Sequence, residues 1–284
     1  MSTRITGVCL LLLLGAAAVA AEERALPTFA YHVRGKVGNL RTSEIYLSNP
    51  GERTITVELA DWVLSYTPPE HPCAAPFIGR HDVPPQGSIV WPAREISQGL
   101  GCVEPIVGGL VFRSDDVFAL GSRLVNERTA TGVDGGLLLR GVGQDVPGVA
   151  IAEPGAGERT HLLPTLVWHP NSCGPALFET YLNLTNFGDS PATLVLELTG
   201  RNGVPTLMLN GREVALPAIV TVPARSFRQV LVGPAPSMLP VCLAPALFDL
   251  RLTVSGSLTV IGSVVDRSSN DARTVVPVPV ADVR

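Results

Sequence analysis

Apolar and polar residues alternate with a period of two along several short segments of the chain. The segment EIYLS (44–48) alternates cleanly, and SLTVIGSVV (257–265) is a run of β-branched and apolar residues broken by one glycine. Both patterns are typical of β-strands with one or both faces buried. Such runs stop at turn residues, as at NPGE (49–52), NFGD (186–189) and NGVP (202–205). The chain is therefore predicted to be all-β.

One hairpin and one weak helix signal stand out within this pattern. In TLMLNGREVAL (206–216), Asn210-Gly211 supplies the positive φ angles that a two-residue type I′ turn requires. The segments PAREISQGL (92–100) and GPAPSMLP (233–240) are each expected to form one helical turn at most, crossing between sheets. Short strands at intervals of about 8–12 residues predict antiparallel sandwiches of about seven to nine strands.

A phrase that occurs twice indicates an internal duplication. LPTFAYH (26–32) returns as LPTLVWH (163–169), and the distance from His32 to Asn49 equals that from His169 to Asn186. A repeated register of this kind is the signature of tandem modules. Further pairs follow in the same order: DVPPQGS (82–88) with TVPARSF (221–227), CVEP (102–105) with CLAP (242–245), and ALGSRLVNER (119–128) with VIGSVVDRSS (260–269).

The duplication divides the chain of 284 residues into two predicted β-sandwich domains. Residues 26–153 form the first domain and residues 162–284 the second, joined by a linker at 154–161 that contains Gly and Pro. Two domains of about 130 residues are each long enough to bury a core.

The first 21 residues are typical of a secretory signal peptide. Arg4 precedes an apolar run from Leu10 to Ala21, and the small residues Val19 and Ala21 suit cleavage before Glu22. An uncleaved anchor is the alternative, but the run is shorter than the roughly 20 residues that a spanning helix needs. We expect a secreted or periplasmic protein without a transmembrane segment after cleavage.

The charge excludes one class of partner. The net charge of −4 becomes about −5 when Arg4 is removed with the signal peptide. Nucleic-acid binding requires a basic surface that neutralises phosphates, so a mildly acidic chain is not expected to bind nucleic acid.

Four cysteines remain after signal removal, and an even number in an exported chain predicts two disulfides. Three connectivities are possible. The simplest places one bond in each repeat, Cys73 with Cys102 and Cys173 with Cys242.

Several short strings of the first repeat resemble a known group of proteins. They are Asn49-Pro50 at a strand end, the turn Pro85-Gln86-Gly87, Ser122-Arg123 within a strand, and Gly143-Gln144 followed by Pro147. This order is similar to the immunoglobulin-like β-sandwich repeats of exported proteins from environmental bacteria. The resemblance implies an immunoglobulin-like fold and an export route, and no known chemistry. The second repeat departs from it, with Asn186-Phe187 and Ser263-Val264 at the corresponding places.

The repeated phrase supplies one candidate site in each repeat. Tyr31 with His32, and Trp168 with His169, could each form an aromatic platform beside a titratable group for a ligand. The structural interpretation is that the aromatic ring fills the end of a sandwich while the histidine caps the strand.

A second candidate lies in HPCAAPFIGRHD (71–82). His71, Cys73, His81 and Asp82 could bind zinc or copper, as a metal-binding protein or a metal-dependent enzyme. Asp115-Asp116 and Asp249 give a weaker signal for calcium.

No nucleophile elbow, phosphate-binding loop or zinc-protease motif occurs in the sequence. We therefore expect a non-enzymatic structural or binding module without a cofactor, with protein partners favoured over carbohydrate. Carbohydrate would require exposed aromatic rings, for which Tyr31, Trp62, Trp91 and Trp168 are the candidates. Strand addition to a partner would instead require an exposed edge strand.

Overall fold

A computed structural model describes residues 21–34, 40–66, 73, 79–102, 105–129, 138–151, 157–169, 178–199, 206–235, 246–267 and 272–280. Residues 1–20 of the predicted signal peptide lie outside these ranges. His71, Cys173 and Cys242 also lie outside them. We call residues 21–151 the first half and residues 157–280 the second half.

The described chain is β-structure with one short helix, as the all-β prediction requires. The first half contains β1 (Glu22–Tyr31), β2 (Val33–Arg34), β3 (Leu40–Ser48), β4 (Ile55–Tyr66), β5 (Arg80–Val83), β6 (Ser88–Pro92), α1 (Ala93–Gly99), β7 (Ile106–Ser114), β8 (Ala119–Thr129), β9 (Leu138–Pro147) and β10 (Val149–Ala150). The second half contains β11 (Arg159–Trp168), β12 (Phe178–Asn186), β13 (Ala192–Thr199), β14 (Thr206–Leu209), β15 (Arg212–Ala215), β16 (Ala218–Val222), β17 (Ser226–Pro234), β18 (Ala246–Val254), β19 (Leu258–Asp266), β20 (Ala272–Val275) and β21 (Val278–Pro279).

The strands form four antiparallel sheets. Sheet I has the order β10-β1-β7-β4-β5, and sheet II has β8 between β3 and β9, with β2 and β6 on the other side of β3. Sheet III has the order β21-β11-β18-β13-β16, and sheet IV the order β15-β14-β17-β12-β19-β20. Sheet III repeats the strand order of sheet I position by position. In sheet IV, β17, β12, β19 and β20 take the places of β6, β3, β8 and β9.

Each half encloses its own apolar core between two sheets. Sheets I and II bury Phe29, Trp91 and Phe112, while sheets III and IV bury Leu163, Leu182 and Leu250. The alternation in the sequence has a direct cause here, because one face of each strand meets the opposite sheet.

The repeated phrase LPT marks a β-bulge in β1. Leu26 pairs with Leu110 and Phe29 pairs with Gly108, so β1 carries one extra residue at Pro27-Thr28. A proline suits this place because it cannot donate to the strand ladder. The same bulge occurs in β11, where Leu163 and Leu166 pair with Leu250 and Phe248.

A buried asparagine closes each sandwich at the end of β3 or β12. The Asn186 side-chain amide donates to the carbonyls of Ser190 (2.9 Å), Val222 (3.2 Å) and Pro223 (3.0 Å), and its Oδ1 accepts from Gly188 N (3.0 Å). Asn186 is 0% exposed. One side chain thus satisfies backbone groups of two separate turns.

Asn49 makes the same contacts in the first half. Its amide donates to the carbonyls of Arg53 (2.6 Å), Val83 (3.0 Å) and Pro84 (3.2 Å), and Oδ1 accepts from Gly51 N (2.8 Å). The sequence identified both asparagines as turn residues only. Their bonds to a turn far along the chain explain why the two repeats share them.

Three details of the sequence interpretation need correction. The helix α1 spans seven residues, about two turns instead of one. Over the described residues, the first half contains ten strands and the second eleven, more than the seven to nine expected. The alignment of Gly121 with Gly262 is off by one, since Gly121 pairs with Tyr46 while Ile261 pairs with Asn183, the counterpart of Tyr46.

The predicted hairpin is confirmed. Strands β14 and β15 pair directly across Asn210-Gly211, and both turn residues have positive φ angles of 49° and 80°. Among the described strands this hairpin has no counterpart in the first half.

We predict that Asn186→Ala lowers the free energy of unfolding by about 2–4 kcal/mol, because the carbonyls of Ser190 and Val222 lose a side-chain donor and the N–H of Gly188 loses its acceptor. Urea unfolding of the purified protein measures the change. Asn49→Ala should cost a similar amount, and Thr221→Ala, at an exposed position, should cost little. A loss below about 0.5 kcal/mol at Asn186 would contradict the role given to its amide.

Candidate functional site

A disulfide joins Cys73 to Cys102, one of the two pairs expected. The sulfur atoms lie 1.95 Å apart, and the bond packs against the core of the first half. The end of α1 positions Cys102, whose N–H donates to the carbonyl of Ser97 (3.0 Å). Because Cys73 is oxidised, it offers no thiolate to a metal.

The other described members of the 71–82 candidate are separated by their contacts. The His81 ring meets the Trp91 ring edge-on, with centroids 4.4 Å apart, and its Nε2 lies 3.7 Å from Glu95 Oε2. Asp82 instead accepts a hydrogen bond from Thr56 Oγ1 (2.7 Å). Within the described ranges, no three His, Cys, Asp or Glu side chains are grouped so that they could hold a metal ion.

The aspartates considered for calcium have other partners. Asp116 pairs with Arg53 (2.8 Å), and the N–H of Val117 together with Arg53 lowers the pKa of its carboxyl group. Asp249 Oδ1 accepts from the N–H of Thr165 (2.6 Å), a bulge residue with φ of 55°. Asp249 therefore stabilises the bulge of β11.

The aromatic residues of the repeated phrase belong to the two cores. Tyr31 is 5% exposed and Trp168 7%, and Trp91 is also buried. His32 stacks on Tyr31 with a centroid distance of 4.1 Å. His169 is buried, and its Nδ1 has no hydrogen-bond partner. These rings fill the sandwich ends and offer no open stacking surface for a sugar.

The most extensive polar constellation is the joint between the two halves, and Arg225 is its centre. Arg225 lies in the turn between β16 and β17 and forms a two-pronged ion pair with Asp61 of β4 at 2.5 Å. The same guanidinium donates to the carbonyls of Trp62 (2.8 Å) and Phe187 (2.8 Å). The hydrogen bonds with Asp61 raise the pKa of Arg225.

Gln144 forms a second contact across the joint. It is buried, its Nε2 donates to Thr274 Oγ1 (2.8 Å), and its Oε1 accepts from Ser263 Oγ (2.9 Å). Thr274 also donates to the carbonyl of Asp145. The side-chain amide of Gln144 is thereby satisfied on both sides by the second half.

Apolar contacts and the bulge of β1 complete the joint. Ala25, Val63 and Val111 of sheet I pack with Phe187 of the second half. Thr185 Oγ1 donates to the carbonyl of Pro27 (2.8 Å), at the bulge.

The joint tolerates no side chain at Gly109. A Cβ there would lie 2.8 Å from atoms of both Thr185 and Phe187. The two halves therefore fit closely against each other through sheets I and II of the first and sheet IV of the second.

Two edge strands at corresponding places differ in charge. Strand β5, at the edge of sheet I, carries Arg80, His81 and Asp82, while β16, at the edge of sheet III, carries Ile219, Val220 and Thr221. Charged residues protect an edge from pairing with another chain, and β16 lacks them. Ile219 is 66% exposed and Leu247 of β18 is 62% exposed.

Sequence reasoning missed the joint, the asparagine contacts and this edge. The only signal in the sequence was the difference between the repeats at matched positions, such as Gln86 against Arg225.

In the portion of the chain that the structure describes, no helix has the length and apolar character needed to cross a membrane. No family model matches the sequence, and the searches of curated proteins and of solved structures found no similar protein.

Replacing both Cys73 and Cys102 by Ala should lower the free energy of unfolding by about 3–4 kcal/mol, because the bond closes a loop with a sequence separation of 29. Urea unfolding of the variant and of the oxidised wild type gives this difference. Addition of a reductant to the wild type should approach the same value, and unchanged stability would show that the bond does not constrain the chain.

Arg225→Gln should weaken the joint by about 1 kcal/mol, a small value because the ion pair is partly solvated. Gln86, the matched residue, has a φ of 49° against 50° for Arg225, so glutamine is compatible with this backbone. A double-mutant cycle with Asp61→Asn, read by urea unfolding, isolates the pair. A coupling energy near zero would show that the ion pair contributes nothing; Gln86→Ala serves as the control without a partner across the joint.

Proposed function

We propose that the protein is an exported, non-enzymatic tandem of two immunoglobulin-like domains, residues 26–153 and 162–284, that binds protein partners at the cell exterior. The joint is the observation that carries this proposal. Polar side chains that could have formed a reaction site, among them Asp61, Arg225 and Gln144, are bound to each other or to backbone across the two halves. A fixed arrangement of two sandwiches suits a scaffold that presents its edges and faces to other proteins.

The disulfide and the shared strand order support the other parts of the proposal. Disulfides persist in oxidising compartments outside the cytoplasm, which fits export. The common strand order of sheets I and III fits a tandem of two copies of one domain.

Strand β16 is the proposed place of contact. An extended segment of a partner would pair with the backbone of β16 and cover Ile219, which is now exposed. The matched strand β5 would not bind in this way, because Arg80 occupies the position that corresponds to Ile219 and Asp82 that of Thr221.

A metal-dependent enzyme or metal-binding protein remains the alternative, since His81 lies beside Glu95 in a half-exposed position. It requires residues of the 71–82 segment to join His81. Metal analysis of the purified protein separates the two proposals.

The first test is mass spectrometry of the protein purified from its host, non-reduced and reduced, with metal analysis of the same sample. The proposal requires an N-terminus near Glu22, a Cys73–Cys102 peptide and no bound metal. Retention of residues 1–21, or stoichiometric zinc or copper, would contradict it.

The second test places a photo-reactive amino acid at position 219 and, as the matched control, at position 80. We expect cross-links to a discrete protein partner from position 219 and not from position 80. Val220→Pro should abolish them, because proline has no N–H to donate in the strand ladder. Equal cross-linking from both positions, or from the proline variant, would contradict β16 as the contact.

A further inference from the structure

An open cleft lies at the edge of the second sandwich, where the chain passes from β20 in sheet IV to β21 in sheet III. Its volume is about 480 Å³ including its open mouth. Leu252, Val254, Leu258 and Val260 form its apolar walls, and Val149 of the first half borders it. Because the 480 Å³ includes open solvent at the mouth, the enclosed part of the cleft suits only a small molecule; its lining, mostly apolar with a few polar groups, is typical of a ligand site.

Two nitrogen-bearing side chains enter the cleft from β11. Arg159, His161 and buried Leu163 occupy every second position of β11. All three therefore lie on the inner face of the strand. Arg159 Nη2 donates to the carbonyls of Gly256 (2.9 Å) and Leu258 (3.2 Å). Those bonds hold the guanidinium at the cleft without neutralising its charge.

The remaining polar atoms of this pair are not satisfied. Arg159 Nε and His161 Nδ1 are buried without a hydrogen-bond partner. Within the described residues Arg159 has no carboxylate in ion-pair contact. Burial lowers the pKa of both side chains, and the charge of Arg159 lowers that of His161 further. A negative charge in the cleft would offset this cost of burial and stabilise the charged form of the pair.

In the first half, the side chains at the corresponding positions of β1 neutralise each other. Glu22 and Arg24 occupy the positions of Arg159 and His161, and they form an ion pair at 2.6 Å. The other carboxylate oxygen of Glu22 accepts from the N–H of Phe118 (3.1 Å). In the first half the strand thus supplies its own anion, and in the second half it does not.

The apolar side chains at this place also differ between the two halves, in size. Phe112 and Phe118 fill the core of the first half at the places that Leu252 and Leu258 take in the second. Each leucine is smaller than the phenylalanine it corresponds to. The space that two aromatic rings occupy in one half is therefore partly open in the other.

We propose that this cleft binds a small monocarboxylate with an apolar chain, the carboxylate accepting from Arg159 and His161 and the chain lying against Val149 and Val276, which line the cleft together with buried Leu252 and Leu258. One guanidinium and one imidazole match the single charge and the acceptor oxygens of a carboxylate. The apolar walls exclude a fully hydrated anion such as phosphate, because its remaining oxygens would lose their hydrogen bonds to water.

Isothermal titration calorimetry of the mature full-length protein with sodium hexanoate and sodium octanoate tests the proposal. Both should bind, and acetate and hexylammonium should bind at least about tenfold more weakly, since one lacks the chain and the other the negative charge. Absence of hexanoate and octanoate binding, or equal affinity for acetate, would overturn the proposal.

The first half supplies the matched variants. Arg159→Glu with His161→Arg installs the self-neutralised pair of the first half, and Leu252→Phe with Leu258→Phe installs its larger side chains. Each double variant should weaken octanoate binding by about tenfold or more. Unchanged affinity in either would place the ligand elsewhere and overturn the assignment.

Arg159→Gln provides a third variant, which removes the positive charge and keeps a shorter side chain with an NH₂ group that can donate hydrogen bonds. It should unfold at nearly the wild-type urea concentration and still lose about tenfold in affinity. Strand cross-linking at position 219 does not involve the cleft, so failure of one proposal leaves the other standing.

Discussion

Buried backbone N–H and C=O groups must be hydrogen-bonded, and this constraint determines how both sandwiches close. Where β3 and β12 end, the chain turns away from the sheet, and strand pairing no longer satisfies its backbone groups beside the buried asparagine. Asn49 and Asn186 solve the problem in the same way, each with one amide that reaches two turns. The residue type is dictated by this task, since the side chain must donate more than one hydrogen bond and also accept one.

The bulges of β1 and β11 also leave backbone groups that strand pairing does not satisfy. An extra residue at Pro27-Thr28 leaves a carbonyl outside the ladder, and Thr185 of the second half bonds to it. In the second half, the N–H of Thr165 in the corresponding bulge donates to Asp249, which lies in the same sheet. One local irregularity therefore contributes to the joint in one copy and to internal stability in the other.

The two halves keep the residues that close a sandwich and differ at the joint, the exposed edge and the cleft. Gln86 corresponds to Arg225, Arg80 to Ile219, and the Glu22–Arg24 pair to Arg159 and His161. After duplication of a stable fold, such local differences need not disturb folding, because function is set by local sites on a scaffold. The first half serves as an internal reference that shows which features of the second are not needed for folding.

From the sequence alone come the β-structure, the duplication and the hairpin at Asn210-Gly211, together with a preference for pairing Cys73 with Cys102 among three possible connectivities. These follow from periodicity, from turn chemistry and from spacing, which act over short distances along the chain. The tertiary structure was needed to establish the register of Gly121, the bonds of Asn186, the joint between Asp61 and Arg225, and the cleft at Arg159. Asp61 and Arg225 are separated by 164 positions. No local pattern records such a contact, because it depends on how two complete sandwiches pack against each other.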